Sequence, residues 1–368
     1  MENVGEMLQK MIKSALKHNS NLDLAKMVGS EEHFYYFPLE SFQGKEKVLL
    51  MGCSGIKFVK DIVLTVGKAG KVIIVTENQD EKVRVEEDLE ATQKEIGFCN
   101  SEFVLVSSYD LRVNPEYIVK ELSMFPVRTF SDYINLQKKI ENQKEAEPFL
   151  NNESVDIVYI DLLNRYTKEY VNLLLSEAFR ILKRKGILLI KVYLSDEPLK
   201  SADLNVCNNI KMHYIPLENE IEEVLASHGY IGMRYKWRAE IPQFIHNTIE
   251  IRPFLIEAYK GEQGPCLEKG HAVFYIGPWK EVVDDDGHRL YRGQRMAVCE
   301  KTYKNLTSCI YEGQIIGIPP YNEVSDGDVR LFDCDISEKR NPKVTKGLKP
   351  LFEGENITKE DINESSCC

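Results

Sequence analysis

The sequence has no apolar run approaching the roughly 18–20 residues that a helical membrane span needs, which excludes that class of protein. Positive charge is also short: 47 Lys and Arg face 58 Asp and Glu, for a net charge of −11. Binding a nucleic-acid backbone requires concentrated positive charge, so no nucleic-acid partner is expected. Cysteine is sparse, odd in number and scattered (nine residues), which excludes a disulfide framework and points to a reducing compartment. The expected location is cytoplasmic or cytoskeleton-associated. Residues 1–16 carry Glu2 and Glu6, lack Arg and lack a compact apolar segment, so they read as neither a secretory signal nor a transit peptide. No internal repeat is evident. What is present is an ordinary globular mixture, 43% hydrophobic and 29% charged. At 368 residues that is enough for about two to two and a half domains.

Val4, Met7, Leu8, Met11, Ile12, Ala15 and Leu16 recur at helical spacing, so residues 1–45 read as a helical lead-in. From Lys47 onward short apolar runs alternate with helical patterns, the signature of a parallel α/β sheet. Strands are predicted at 47–51, 71–76, 103–106, 155–161, 186–193, 231–237 and 254–259. Helices are predicted at 56–66, 79–96, 169–183 and 218–227. Together these make a doubly wound sheet of seven strands over 46–260, with its ligand crevice at the turn after Met51. The stretch 107–153 is far longer than a strand connection needs and carries its own helical pattern (Tyr133, Ile134, Leu136, Ile140), so it reads as an exposed insertion. After Lys260, Gly, Pro, Asp and aromatic residues rise. A small β-rich domain is predicted over 265–350, with strands at 271–277 and 290–299 around an Asp284–Gly287 hairpin turn. An acidic tail ending in Cys367-Cys368 closes the chain at 351–368.

The turn reads Met51-Gly52-Cys53-Ser54-Gly55-Ile56, a strand running through small residues into a helix. Such a turn lets backbone approach a nucleotide. Taken alone it is equally an ordinary tight strand-to-helix turn. In Val48, Leu49, Gly52 and Cys53 the segment resembles the first motif of class I S-adenosylmethionine-dependent methyltransferases, and within them the arsenite methyltransferases. The fold this implies is a class I methyltransferase-like sheet with a small β-rich C-terminal domain. The cofactor residues it implies are Gly52, Cys53, Gly55, Glu77 and Asp161. The chain departs from the motif as well. Leu50 stands where the family has an acid, Ser54 and Ile56 stand where it has glycines, and Thr76 occupies the ribose-binding position with Glu77 one step later. An Ile at the last glycine position would crowd the methionine moiety, so S-adenosylmethionine is expected to be held weakly or not at all.

The C-terminal segments resemble the small domain attached to arsenite-methyltransferase-like proteins. They are Tyr275-x-Gly277-Pro278, Asp284-Asp285-x-Gly287-His288, Arg292-Gly293-x-Arg295, Val298-Cys299-x-Lys301-Thr302, Asp333-Cys334, Arg340-x-Pro342 and Thr345-Lys346-Gly347. Methylating arsenite needs two or three soft thiolates around a soft metalloid. The positions that supply them in the active family carry no cysteine in 21–28 or 160–163, and only Cys207 falls near the third. Cys207 reads first as a small buried hydrophobe, with a soft-ligand thiol as the alternative. Cys367 and Cys368 are vicinal thiols able to chelate a soft ion or to stay inert beside their acidic neighbours. Other features read as structural: Asp284–Asp286 as a solvated turn without the spacing of a calcium loop, His228 as a helix C-terminal histidine, and Trp237 and Trp279 as core or interface anchors.

Two functions follow. The first is a catalytically degenerate methyltransferase-like protein that serves as a structural or binding part of an intracellular assembly, contacting protein partners through 107–153 and the tail. The second is an active S-adenosylmethionine-dependent methyltransferase acting on arsenite or another thiol-bound or small-molecule substrate.

Overall fold

The computed structural model describes residues 4–18, 22–23, 41–52, 57–200, 212–322, 324 and 329–352. The chain divides into two compact units, Met1–Gly229 with Met233–Ala258, and Tyr230–Gly232 with Tyr259–Cys368.

The first unit opens with α1 (Val4–His18), which buries Leu8 and Ala15 against Ile245 as the apolar spacing requires. In chain order there follow β1 (Leu22–Asp23), β2 (Lys47–Met51), α2 (Lys57–Val66), β3 (Lys71–Thr76), α3 (Gln79–Ile96), β4 (Ser101–Leu105), α4 (Pro115–Met124) and α5 (Phe130–Ala146). After these come β5 (Val155–Ile160), α6 (Lys168–Ile181), β6 (Leu182–Ser195), α7 (Glu220–Ser227), β7 (Tyr230–Arg238), β8 (Phe244–His246) and β9 (Ile249–Lys260). The strands lie in the order β4-β3-β2-β5-β6-β9, with β7 also paired to β9 and the short β8 and β1 added beyond it. From β4 through β6 every pairing is parallel. This is the class I methyltransferase-like, doubly wound sheet expected from the sequence. The short β8, paired to the predicted β9, and the short β1 beyond it are additions that the apolar pattern did not reveal.

The continuous apolar runs Val48–Met51 and Val72–Val75 are what a strand covered on both faces requires. Val48, Leu50, Val72 and Ile74 pack under Val59, Ile62, Val85 and Leu89 of α2 and α3. Their alternates Leu49, Met51, Ile73 and Val75 point the other way and are equally buried. Helix α3 begins where the Asn78 side chain accepts the amides of Asp80 and Glu81, and it ends at Gly97 in the left-handed region (φ 75°).

Within 107–153 there are two helices rather than one pattern. Helix α4 starts on the Asn114 cap with Pro115 in its first turn. It stops at Phe125, because a residue preceding a proline (Pro126) is driven out of helical geometry. Helix α5 restarts on a Thr129–Asp132 capping box. The Glu177 carboxylate anchors the root of the insertion, accepting the Leu111 amide at 2.7 Å while the Arg180 guanidinium donates to both its oxygens.

The second unit contains β10 (Leu267–Glu268), β11 (Ala272–Tyr275), β12 (Glu281–Val283), β13 (Arg289–Tyr291), β14 (Arg295–Ala297), α8 (Glu300–Leu306), β15 (Ile315–Ile318), β16 (Arg330–Leu331) and α9 (Pro342–Thr345). They form three small antiparallel sheets: β14-β11-β15, β10-β16 and β12-β13. Val273, Tyr275, Leu290, Met296, Val298 and Leu306 make its core. The guanidinium of Arg340 closes on both oxygens of Glu268 at 2.7 and 2.8 Å, buried on both sides.

Three expectations for this unit are corrected. The returning strand predicted at 290–299 is two strands, interrupted where Gly293 turns to φ 77°, and Cys299 caps α8 instead of extending a strand. Of the two roles expected for Trp279, its 69% exposure removes the core one and leaves the interface one, whereas Trp237 packs partly buried on the sheet of the first unit. The Asp284–Gly287 turn forms, with Gly287 at φ 87°, but its acids are not merely solvated. Asp284 holds His288, and Asp285 accepts the Gly232 amide and the Tyr311 hydroxyl. His228 has the structural role read from the sequence: its ring nitrogens bond the carbonyls of Val224 and Asn172.

Candidate functional site

The crevice expected from the sequence lies at the carboxyl end of β2. Gly52 follows Met51 with φ 77°, a dihedral that favours glycine, and a Cβ there would press on the Asp161 carbonyl oxygen at 3.3 Å. The turn is closed by backbone bonds on both sides, from Gly52 N to Val75 O (3.0 Å) and from Asp161 N to Met51 O (3.0 Å). Gly52 and Asp161 are thus brought together. The Asp161 carboxylate is buried, with Lys191 Nζ at 3.9 Å.

Glu77 stands elsewhere on the rim. Strand β3 ends at Thr76, whose side chain is buried, and Glu77 follows it as an exposed residue. Its Oε1 accepts the Ser107 hydroxyl (3.2 Å) and the Ser108 amide (3.1 Å), bracing the start of the insertion. Ser108 also hydrogen-bonds the Tyr166 phenol, which burial pushes above its usual range. Next to it the Thr76 hydroxyl donates to Glu81 Oε2 (2.7 Å), and Arg165, from the turn after β5, donates to Glu81 Oε1 (2.9 Å). Asn164 beside it is fully buried, donating to the Tyr193 and Tyr214 carbonyls and accepting the Tyr193 amide. Cys53, Gly55, Cys207, Cys367 and Cys368 lie outside the described residues.

A second constellation, which the sequence reading missed, sits in the second unit. The sulfur atoms of Cys266, Cys299 and Cys334 all lie within 4.8 Å of one another. Cys266 precedes β10 and Cys334 follows β16. Pairing of those two strands, continued by the Phe332 amide on the Cys266 carbonyl (2.7 Å), brings the two residues to one end. Cys299 arrives from the end of β14. Its sulfur accepts the Thr302 amide (3.3 Å) and is hydrogen-bonded to the Thr302 hydroxyl (3.2 Å). The hydrogen bond from Cys334, helped by Thr302 and by Cys266, holds the Cys299 thiol down to about 5 against the opposing effect of burial. Sharing with that thiolate pushes Cys334 up, and burial pushes Cys266 up. Such a cluster can bind a soft ion through sulfur. The signal that could have found it was available: Cys299 and Cys334 fall in segments carrying the family resemblance. Far apart in the chain, however, the three cysteines become neighbours only through strand pairing.

A domain family of unknown function (DUF8838) matches residues 262–350. No curated protein matches this sequence. Among solved structures, the chain is similar to an arsenic(III) S-adenosylmethionine methyltransferase from Chlamydomonas reinhardtii. The two are 15% identical, with a TM-score of 0.46, over 81% of this chain and 89% of that one. It is also similar to an S-adenosylmethionine-dependent methyltransferase from Aquifex aeolicus, at 15% identity and a TM-score of 0.38, over 64% of this chain and 96% of that one.

Proposed function

We propose that this chain is a methyltransferase-like protein whose first unit no longer transfers a methyl group, and that it serves as a binding component of a cytoplasmic protein assembly. The observation that supports this most is the Thr76–Glu81–Arg165 connection. Strand β2 lies between β3 and β5, so an ion pair joining the first turn of α3 to the turn after β5 runs across the carboxyl end of β2, where the crevice opens. Glu77, the remaining candidate for ribose hydroxyls, is engaged by Ser107 and Ser108. Leu50 in place of an acid, and Ser54 and Ile56 in place of glycines, act in the same direction.

Titrating the purified chain calorimetrically with S-adenosylmethionine and S-adenosylhomocysteine is expected to give no binding heat up to millimolar ligand. Micromolar affinity for either would overturn this reading and return the chain to the active methyltransferases.

The insertion supplies the contact surface in this reading. Val119, Phe125, Val127, Phe130 and Tyr133 of α4, α5 and the link between them are exposed, Phe130 by 77%. Apolar side chains gathered on one exposed element mark a protein-contact surface. No helix among the described residues is long and apolar enough to cross a membrane. Because Phe130 opens α5 and faces solvent, Phe130→Glu is expected to change unfolding stability by less than about 0.5 kcal/mol in urea titration. The new carboxylate there also suits the helix N-terminus. A loss several times larger would show that the ring packs into the fold and is not available to a partner.

A further inference from the structure

We propose that Cys266, Cys299 and Cys334 bind one zinc(II) ion as thiolates, with His288 Nε2 as the fourth ligand. Three sulfurs and one imidazole are a standard ligand set for a closed, structural zinc site, with no open position for catalysis. The sulfurs lie within 4.8 Å of one another. Tetrahedral zinc at a Zn–S length of about 2.3 Å places its sulfurs about 3.8 Å apart, so movements of about 1 Å or less bring the three sulfurs to that spacing.

The histidine is the second and independent observation. His288 is 5% exposed. Its Nδ1 lies 3.0 and 2.9 Å from the two oxygens of Asp284, and its Nε2 is buried with no hydrogen-bond partner among the described residues. A carboxylate on Nδ1 fixes the tautomer that leaves the Nε2 lone pair outward, the arrangement that orients metal-ligating histidines. His288 Nε2 stands farther than 4.8 Å from at least one of the three sulfurs, so the ring must move toward them to complete the site. The amide of Arg289 donates to Ser337 Oγ (3.2 Å), tying the residue after His288 to the segment leading on from Cys334. Thr302 then plays for sulfur the part that Asp284 plays for nitrogen, directing the Cys299 ligand through its amide and hydroxyl.

On binding, three Zn–S bonds and one Zn–N bond form, each thiol still protonated releases its proton to solvent, and no electron changes hands. The ion would fasten the ends of β10, β14 and β16 and the β12–β13 turn to one point. The inference does not depend on whether the first unit binds S-adenosylmethionine.

The test uses the full-length protein, purified under reducing conditions. Elemental analysis is expected to give one zinc per chain. Replacement with cobalt(II) is expected to give the intense visible bands of a tetrahedral thiolate site, lost in each of Cys266→Ser, Cys299→Ser and Cys334→Ser and shifted in His288→Ala. Folded wild-type protein without stoichiometric zinc and without that spectrum would overturn the site, whatever the variants do. So would an unchanged spectrum in the cysteine variants, or a disulfide joining two of the three cysteines in alkylated intact mass. Binding of arsenite in place of cobalt and zinc would overturn the four-coordinate assignment, and a His288→Ala spectrum identical to wild type would remove the histidine from it.

Discussion

Arg340→Met is expected to destabilise the second unit by about 3–5 kcal/mol, the usual cost of stranding one member of a buried ion pair. Glu268 and Arg340 side chains are 9% and 6% exposed and meet through two charge-assisted bonds, while Arg340 Nε also donates to the His271 carbonyl at 3.2 Å. Met fills much of the guanidinium's volume, so the loss isolates charge rather than packing. Removing both charges in Arg340→Met/Glu268→Met is expected to recover part of it, because neither ion is then buried alone. Recovery stays incomplete since the Gly270 amide, which donates to Glu268 Oε1 at 2.7 Å, loses its acceptor. Thermal or urea unfolding followed on the single and double variants decides the matter. A single-variant loss under about 1 kcal/mol would mean that the pair is solvated.

Tyr275→Ala is expected to cost the same unit about 3–5 kcal/mol, the range for deleting a large buried ring. Tyr275 is wholly buried at the centre of the β14-β11-β15 sheet, among Val273, Leu290, Met296, Val298 and Leu306. Its hydroxyl accepts the Trp279 amide at 3.0 Å. Tyr275→Phe keeps the ring and loses only that bond, for an expected cost of about 1 kcal/mol. The contrast between the two variants separates packing from hydrogen bonding. Equal losses would contradict a ring-dominated core.

The sequence carried the first unit well and the second poorly, for a physical reason. Strands β2 and β3 and helix α3 stand at the boundaries that periodicity and capping chemistry predict, since a strand buried on both faces must be apolar throughout and a helix must be capped. Strands of two to four residues leave too short a pattern to read, so in the second unit Gly293 and Cys299 were absorbed into one predicted strand. The site divides the same way. That Gly52 and Asp161 stand at strand ends was legible, because apolar runs mark both strands. What Glu77 does was not, because a side chain beyond a strand end takes its partners from a loop whose course no pattern records. The cysteine cluster depends on register between distant strands, information that exists only once the chain has folded.

The insertion leaves and re-enters the first unit at nearly the same point. The Leu150 amide bonds the Leu111 carbonyl at 2.9 Å, and the Phe149 amide bonds that of Arg112 at 3.1 Å. A segment whose two ends already touch exerts no leverage on the framework that carries it. Doubling the length of such a closed segment adds only about 0.6 kcal/mol of chain entropy. Evolution could therefore have lengthened, shortened or exchanged what lies between Arg112 and Phe149 with little disturbance to the strands on either side. The excursion behaves as a graft, free to diverge at its own rate while the sheet beneath it is held by packing.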